Sequence, residues 1–190
     1  MKEIKRDTKE TSICAKLNLN GSGKAKISTG IGFFDHMLEA FAKHSLIDLE
    51  LTCNGDIHVD FHHSVEDVGI VLGKALKEAI YPINSVERYS NAVVVMDEAS
   101  VECALDLSNR AYLVYAVEID GKVGEFDCEL AEEFFRALVT NACLTVHFEC
   151  KRGKNRHHIL EATFKSFAVA LRRALVKNER LGVPSTKGVL

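Results

Sequence analysis

His62-His63-Ser64-Val65-Glu66 and His157-His158-Ile159-Leu160-Glu161 are two copies of one pattern, His-His-x-x-Glu, in a chain of 190 residues. Each copy ends a polar stretch and opens an amphipathic run, which predicts a helix start at both places. If the helix begins at the second His, the Glu follows on the same face, where two imidazoles and a carboxylate can share a ligand. A shuffled chain of this composition holds roughly 0.03 copies of the pattern. Finding it twice points to a duplicated chain and to two halves of a metal site. Taken singly, either copy reads more readily as polar capping than as a ligand set, and the positive end of a helix dipole opposes a cation by about 0.3–1 kcal/mol. Ligand bonds outweigh that, since apparent free energies of structural metal sites are about 10–16 kcal/mol.

Working outward, the flanking segments repeat in the same order. Ser12–Asn20 and Gly23–Ser28 read as strands around the Asn20-Gly21-Ser22-Gly23 turn, followed by a helix at Phe34–His44, a strand at Ile47–Cys53 and a helix at Ser64–Ile80. In the second half Ala92–Leu107 and Ala111–Ile119 read as strands, Leu130–Cys143 as a helix, Leu144–Cys150 as a strand and His158–Val176 as a helix. A β-β-α-β-α unit therefore occurs twice, in pseudo-repeats of about 1–84 and 85–190 joined through Tyr81–Arg88. Aligning the repeats on their His pairs matches Asp35-His36-Met37-Leu38 with Glu132-Glu133-Phe134-Phe135, so that His36 faces Glu133. The expected architecture is α+β and a single domain over 1–190, with four helices collected together and antiparallel sheet covering them.

Composition narrows the class. Hydrophobic residues make up 47%, charged residues 27%, and the net charge is −3, which gives no basic footprint for nucleic acid. Apolar runs are short and broken by charge, so neither a membrane span nor a secretory signal is expected, and the expected compartment is the cytoplasm. Cys14, Cys53, Cys103, Cys128, Cys143 and Cys150 show no C-x-x-C spacing and are expected as reduced thiols.

The eight histidines, His36, His44, His58, His62, His63, His147, His157 and His158, do not fit a closed zinc site, because no cysteines cluster with them. Adjacent histidines diverge, so each pair serves two ions, and each ion takes histidines from both motifs and one glutamate. Mixed nitrogen and oxygen ligation with open positions suits catalytic Mn²⁺, Fe²⁺ or Co²⁺. His147 lies in an alternating strand and is either a ligand or a strand histidine met by a neighbour. His58 reads as a surface loop residue, and His44 suits the negative end of the first helix.

Gly32-Phe33-Phe34-Asp35-His36-Met37-Leu38, His62-His63-Ser64-Val65-Glu66-Asp67, Asn155-Arg156-His157-His158-Ile159-Leu160-Glu161-Ala162-Thr163-Phe164-Lys165 and the tail Pro184-Ser185-Thr186-Lys187-Gly188 closely resemble the imidazoleglycerol-phosphate dehydratases of histidine biosynthesis. The likeness runs from Arg6-x-Thr8-x-Glu10-Thr11 to the C-terminus, and the resemblance implies the monofunctional form, without a phosphatase domain, and a four-helix layer packed between two mainly antiparallel four-stranded sheets. It implies a manganese-dependent hydro-lyase converting D-erythro-imidazole glycerol phosphate to imidazole acetol phosphate and water. It also implies two Mn²⁺ per active site and a homo-oligomer of roughly 24 chains with sites at subunit interfaces. Carried over by position, the metal ligands are His36, His62, His63, Glu66, Glu133, His157, His158 and Glu161. Glu133 stands where the family commonly has histidine, which adds negative charge and hardness there. The phosphorylated imidazole substrate is expected to meet Glu10, His36, His44, His62, Glu66, Arg88, Arg110, His157, Lys165, Ser185 and Lys187. Catalysis is assigned to Glu10, Glu66 and Glu161.

The chemistry explains the need for such a site. The proton to be removed has no carbonyl neighbour, so an enolate cannot stabilise its loss. A metal-held imidazolate can expel hydroxide from the adjacent carbon; the resulting diazafulvene acidifies the next C–H, and a carboxylate base gives an enol that becomes the ketone. By resemblance Glu10 is the acid/base, although read alone it is as well an exposed strand residue. Arg88, Arg110, Lys187 and the Ser185 hydroxyl match the phosphate positions, with Lys165 and Arg156 as nearby alternatives. Read alone, each cation is a solvated surface charge. A di-metal storage or oxygen protein would carry Glu-x-x-His inside helices, whereas these motifs begin helices between strands. Metals acting only as subunit glue would leave Glu10 and the phosphate set unexplained.

Overall fold

In a computed structural model of the chain, residues 1–188 are described; the last two positions of the expected 1–190 domain lie outside the described residues. The first half comprises β1 (Lys2–Asp7), β2 (Thr11–Asn18), β3 (Ala25–Ser28), α1 (Gly32–Ser45), β4 (Asp48–Gly55) and α2 (His62–Ile80). The second comprises β5 (Tyr89–Met96), β6 (Ala99–Asp106), β7 (Tyr112–Ala116), a short ribbon of β8 (Lys122–Val123) and β9 (Phe126–Asp127), α3 (Leu130–Ala142), β10 (Thr145–Arg152) and α4 (Arg156–Ala174). Sheet 1 has the order β1-β2-β4-β3 and sheet 2 the order β5-β6-β10-β7. In each, two strand pairs are antiparallel and the last is parallel. The fold is α+β, as expected, with four helices and two four-stranded sheets.

The repeating unit carries one strand more than the expected β-β-α-β-α. Alternation in Lys2–Asp7 is muted because that edge strand buries little, so β1 escapes a hydrophobicity reading. The expected single strand Ala92–Leu107 is a hairpin, β5 and β6, folded at Asp97-Glu98 with Asp97 at φ 48° and no glycine to mark the turn. Nor do β2 and β3 form a hairpin: β4 inserts between them, and Asp48 at its start accepts the Ser22 and Lys24 N–H groups at 2.8 and 2.9 Å. The expected strand Ala111–Ile119 shortens to β7.

α2 packs on β1, β2 and β4 of sheet 1, and α4 on β5 and β6 of sheet 2, leaving helix faces to meet between the sheets. The pairing exchanges partners between halves, α1 against α4 and α2 against α3. Both pairs run parallel: His36 meets Glu161 near the helix starts, while Arg172 Nη1 donates to the His44 carbonyl at 3.0 Å near the ends. The core is aromatic, with Phe134 stacked on Phe164 at 5.3 Å and Phe135 touching Phe148, Phe164 and Phe167. Both α1 and α3 end on left-handed residues, Leu46 and Cys143. All six cysteines are unpaired, and among the described residues no helix is long and apolar enough to cross a membrane.

Candidate active site

Both His pairs fall in the first turn of a helix. Asn155 caps α4, its side-chain oxygen accepting the N–H groups of His157 and His158 at 2.9 and 3.4 Å, and Asp60 accepts the His62 N–H at 2.8 Å. Within each pair the rings diverge: the centroids lie 6.4 Å apart at 87° for His62 and His63, and 6.3 Å apart at 80° for His157 and His158. The two members therefore serve different ligands.

The partner exchange brings His36 of α1 to His157 and Glu161 of α4. Their ligand atoms lie within 4.8 Å of one another, the one such trio among the described residues. Glu161 Oε2 stands 3.0 Å from His157 Nε2 and 3.5 Å from His36 Nε2, and its Oε1 accepts from Lys165 Nζ at 2.6 Å. Burial pushes the Glu161 carboxyl up, but the Lys165 bond and charge, with His157 and His36, outweigh it and hold the group below its ordinary range. An ionised carboxylate facing two imidazole nitrogens is a donor set that fits a divalent cation with mixed nitrogen and oxygen preference. Two turns along α1, His44 is lowered by burial and by the charges of Lys165 and Arg172.

The other half-site is looser. His62 Nε2 and Glu66 Oε2 are 4.0 Å apart on α2. Glu133, expected as the remaining ligand, turns along its own helix to Arg136 at 3.8 Å, beside the Glu132–Arg136 pair. It lies on α3, which packs against α2, whereas its counterpart in the alignment of the repeats, His36, lies on α1, which packs against α4. His58 and His147 are exposed; His147 lies beside Tyr112 on the outer face of sheet 2 and joins no ligand cluster among the described residues.

Glu10 is presented to this half-site by the residues around it. Thr8 Oγ1 accepts the N–H groups of Glu10 and Thr11 at 3.1 and 2.9 Å, closing the β1–β2 turn. Arg6 Nε and Thr11 Oγ1 bind Asp67 of α2 at 2.9 and 2.5 Å, which pins the turn to the helix start. The Glu10 carboxylate consequently stands 3.9 Å from His63 Nδ1, half exposed. Sequence reasoning missed two carboxylates, Asp56 and Glu98, which accept from His63 Nδ1 at 2.9 Å and from His158 Nδ1 at 2.8 Å. These bonds raise both histidines and lower both acids, Glu98 to about 2. Glu98 was hidden because the hairpin carrying it reads as one strand.

Arg88, Arg110, Ser185 and Lys187 line one cavity of about 450 Å³, with Tyr89, Ser108, Asn109 and Thr186. Asp106 binds Arg88 bidentately at 2.8 and 3.2 Å and so neutralises it, while the Pro184 carbonyl accepts from Arg88 Nη1 at 2.6 Å and docks the tail. Arg110 and Lys187 have no carboxylate partner among the described residues, leaving cationic surplus for an anion. A second cavity of about 470 Å³, at the helix C-termini beside Leu46, Ile80 and Ile83, contains none of the expected site residues.

The imidazoleglycerol-phosphate dehydratase family model matches residues 29–171. The chain is 70% identical over 190 residues, all of both chains, to the imidazoleglycerol-phosphate dehydratase of Aliarcobacter butzleri (strain RM4018). It is 71% identical over 189 residues to that of Campylobacter concisus (strain 13826), covering 99% of this chain and 97% of the relative. Among solved structures, the enzyme from Pyrococcus furiosus in complex with (S)-C348 superposes with a TM-score of 0.85 at 39% identity, over 98% of this chain and 100% of that one. The enzyme from Staphylococcus aureus subsp. aureus N315 gives 0.82 at 40% identity, over 93% and 98%. Whole-chain identity, a shared fold and the site motifs agree: the chain belongs to the imidazoleglycerol-phosphate dehydratase family, hydro-lyases of histidine biosynthesis.

Proposed function

We propose that the chain, a single cytoplasmic domain, dehydrates D-erythro-imidazole glycerol phosphate to imidazole acetol phosphate with two Mn²⁺ per active site, in a homo-oligomer whose sites form between chains. The observation that carries the reading is the meeting of His36 with His157 and Glu161 across the two repeats. His62, His63, Glu66 and His158 complete the proposed ligand set, with Glu133 at the remaining position once neighbouring chains assemble. When bound, the ions supply Lewis acidity that makes the substrate's imidazole N–H easier to ionise. The chain's residues do the rest. Arg110, Lys187 and Ser185 bind the phosphate dianion and fix the three-carbon chain relative to the ligand histidines. Hydroxide leaves the carbon beside the ring, Glu10 removes the proton from the next carbon, and the enol becomes the ketone. Glu66 and Glu161 are held as ligands and are less free to shuttle protons.

Distances within one chain support assembly. The phosphate cavity lies at the Asp106 end of β6 and His158 at the Ala99 end, seven residues or about 23 Å apart at strand rise. His62 begins α2, whereas Tyr81, just past its end and about 28 Å away at helix rise, accepts from the Asn109 N–H of the cavity at 3.0 Å. A three-carbon bridge between imidazole and phosphate spans neither gap, so another chain has to bring one end to the other. The outer face of sheet 2 is suited to that contact: Tyr89, Val93, Val95, Tyr112 and Val114 are exposed there, while Lys16 and Glu50 pair across the outer face of sheet 1.

Chelated protein should lose turnover of imidazole glycerol phosphate and regain it best with Mn²⁺ among divalent ions. Full activity in rigorously metal-free protein would overturn the reading.

A further inference from the structure

Glu10 and Glu98 occupy the same place in the two repeats. Glu10 immediately precedes β2 and Glu98 immediately precedes β6, each closing the hairpin that opens its half. Their surroundings differ. Glu98 Oε1 accepts the backbone N–H groups of Lys154 and Asn155 at 3.1 and 2.7 Å, and its Oε2 takes His158 Nδ1 at 2.8 Å. The Glu10 carboxylate accepts no hydrogen bond among the described residues and stands 3.9 Å from His63 Nδ1. In that half the histidine is held by Asp56, Oδ2 to Nδ1 at 2.9 Å, from a loop whose Asp56 N–H donates to the Glu10 carbonyl at 3.1 Å.

We propose that Glu98 and Asp56 are positioning residues that fix the tautomer and ring direction of His158 and His63, and that Asp56 takes over in the first repeat what Glu98 does in the second, which leaves Glu10 unbound. The inference rests on the reading of these histidines as metal ligands. A carboxylate only accepts, so the bond puts the proton on Nδ1 and leaves the Nε2 lone pair for an ion. Glu98 adds a mechanical link, because the two N–H groups it holds belong to the loop that launches α4. The hairpin turn, the helix start and His158 then move as one body.

Glu98→Gln separates orientation from folding. The amide oxygen keeps the bonds from Lys154 and Asn155, while the –NH₂ group donates to His158 Nδ1 and drives the ring proton onto Nε2, removing the ligand lone pair. Mn²⁺ affinity of the full-length protein, read by electron paramagnetic resonance of the free ion, should fall about 10–100-fold for one of the two ions per chain. The melting temperature of the metal-free protein should stay at the wild-type value, which a merely structural role would not allow. Asp56→Asn tests the same device at His63 without touching the α4 loop, and should weaken the other ion by a similar factor. Wild-type affinity in both variants would overturn the positioning role while leaving the metal reading intact. A wild-type protein that binds no Mn²⁺ would overturn both.

Discussion

At Glu161 three partners from two helices meet one buried carboxylate: His157 and Lys165 on its own helix, and His36 from α1. Lys165 compensates the burial and frees Oε2 for the site, so that the helix offers an ionised ligand. Glu10 is its opposite: its carboxylate is half exposed and accepts no hydrogen bond among the described residues, though its turn is tightly tied through the backbone. Glu10→Gln keeps size and backbone contacts but removes the base, so the turnover rate at saturating substrate should drop about 10²–10⁴-fold. Metal content and particle size should not change. A wild-type rate in this variant would move proton transfer to another group. His63→Ala, by contrast, should lower metal occupancy first and activity as a consequence, which metal analysis beside the assay would separate. The motif made Glu161 and His157 readable as one set, since a four-residue spacing is local; His36 joined them only through resemblance, because nothing local tells which helix α1 packs on.

Among elements, the α2–α3 pair sets the most demanding contact. A Cβ at Gly69 would lie 2.7 Å from the Phe134 carbonyl oxygen, and one at Gly73 would lie 2.6 Å from the Leu138 carbonyl oxygen. These glycines, four apart on one face of α2, let the α3 backbone approach where any side chain would hold it off. Gly73→Ala should destabilise by about 1–3 kcal/mol through overpacking, despite alanine's better helix propensity, and a denaturant midpoint would measure it. An unchanged or raised midpoint would mean that the helices separate without cost. The contact also fixes α3, which carries Glu133, against α2, which carries His62 and Glu66, so the variant should disturb the looser half-site more than the His36 trio. Elements with strong period were legible, α2 and α4 above all. The β1 strand and the β5–β6 turn were not, because an exposed edge shows little alternation and a glycine-free turn shows no breaker.

At the scale of the molecule, the phosphate cavity and the ligand histidines lie at opposite ends of the fold. His157→Ala and Arg110→Ala should each be nearly inactive alone. Chelated, mixed in equal amounts and reassembled with Mn²⁺, they should recover about a quarter of wild-type activity, because random assembly gives one site in four both intact parts when two chains supply them. No recovery in mixed particles of full size would mean that one chain supplies both parts. The proposed sharing of ions between chains carries its own prediction: metal removal should also shrink the particle in sedimentation.

What the sequence determined by itself was the local chemistry: helix starts bearing His-His-x-x-Glu, the duplicated order of elements and the cations of the tail. Spacings of three or four residues and periods of two or 3.6 are properties of the chain and survive without tertiary structure. Tertiary structure decided which helices meet across the repeats, that Glu133 turns to Arg136 while His36 turns to Glu161, and that Asp56 and Glu98 orient the outer histidines. Those are choices among long-range packings. They are settled by where glycines admit a backbone and where phenylalanines fill the space between two sheets, which no local pattern encodes.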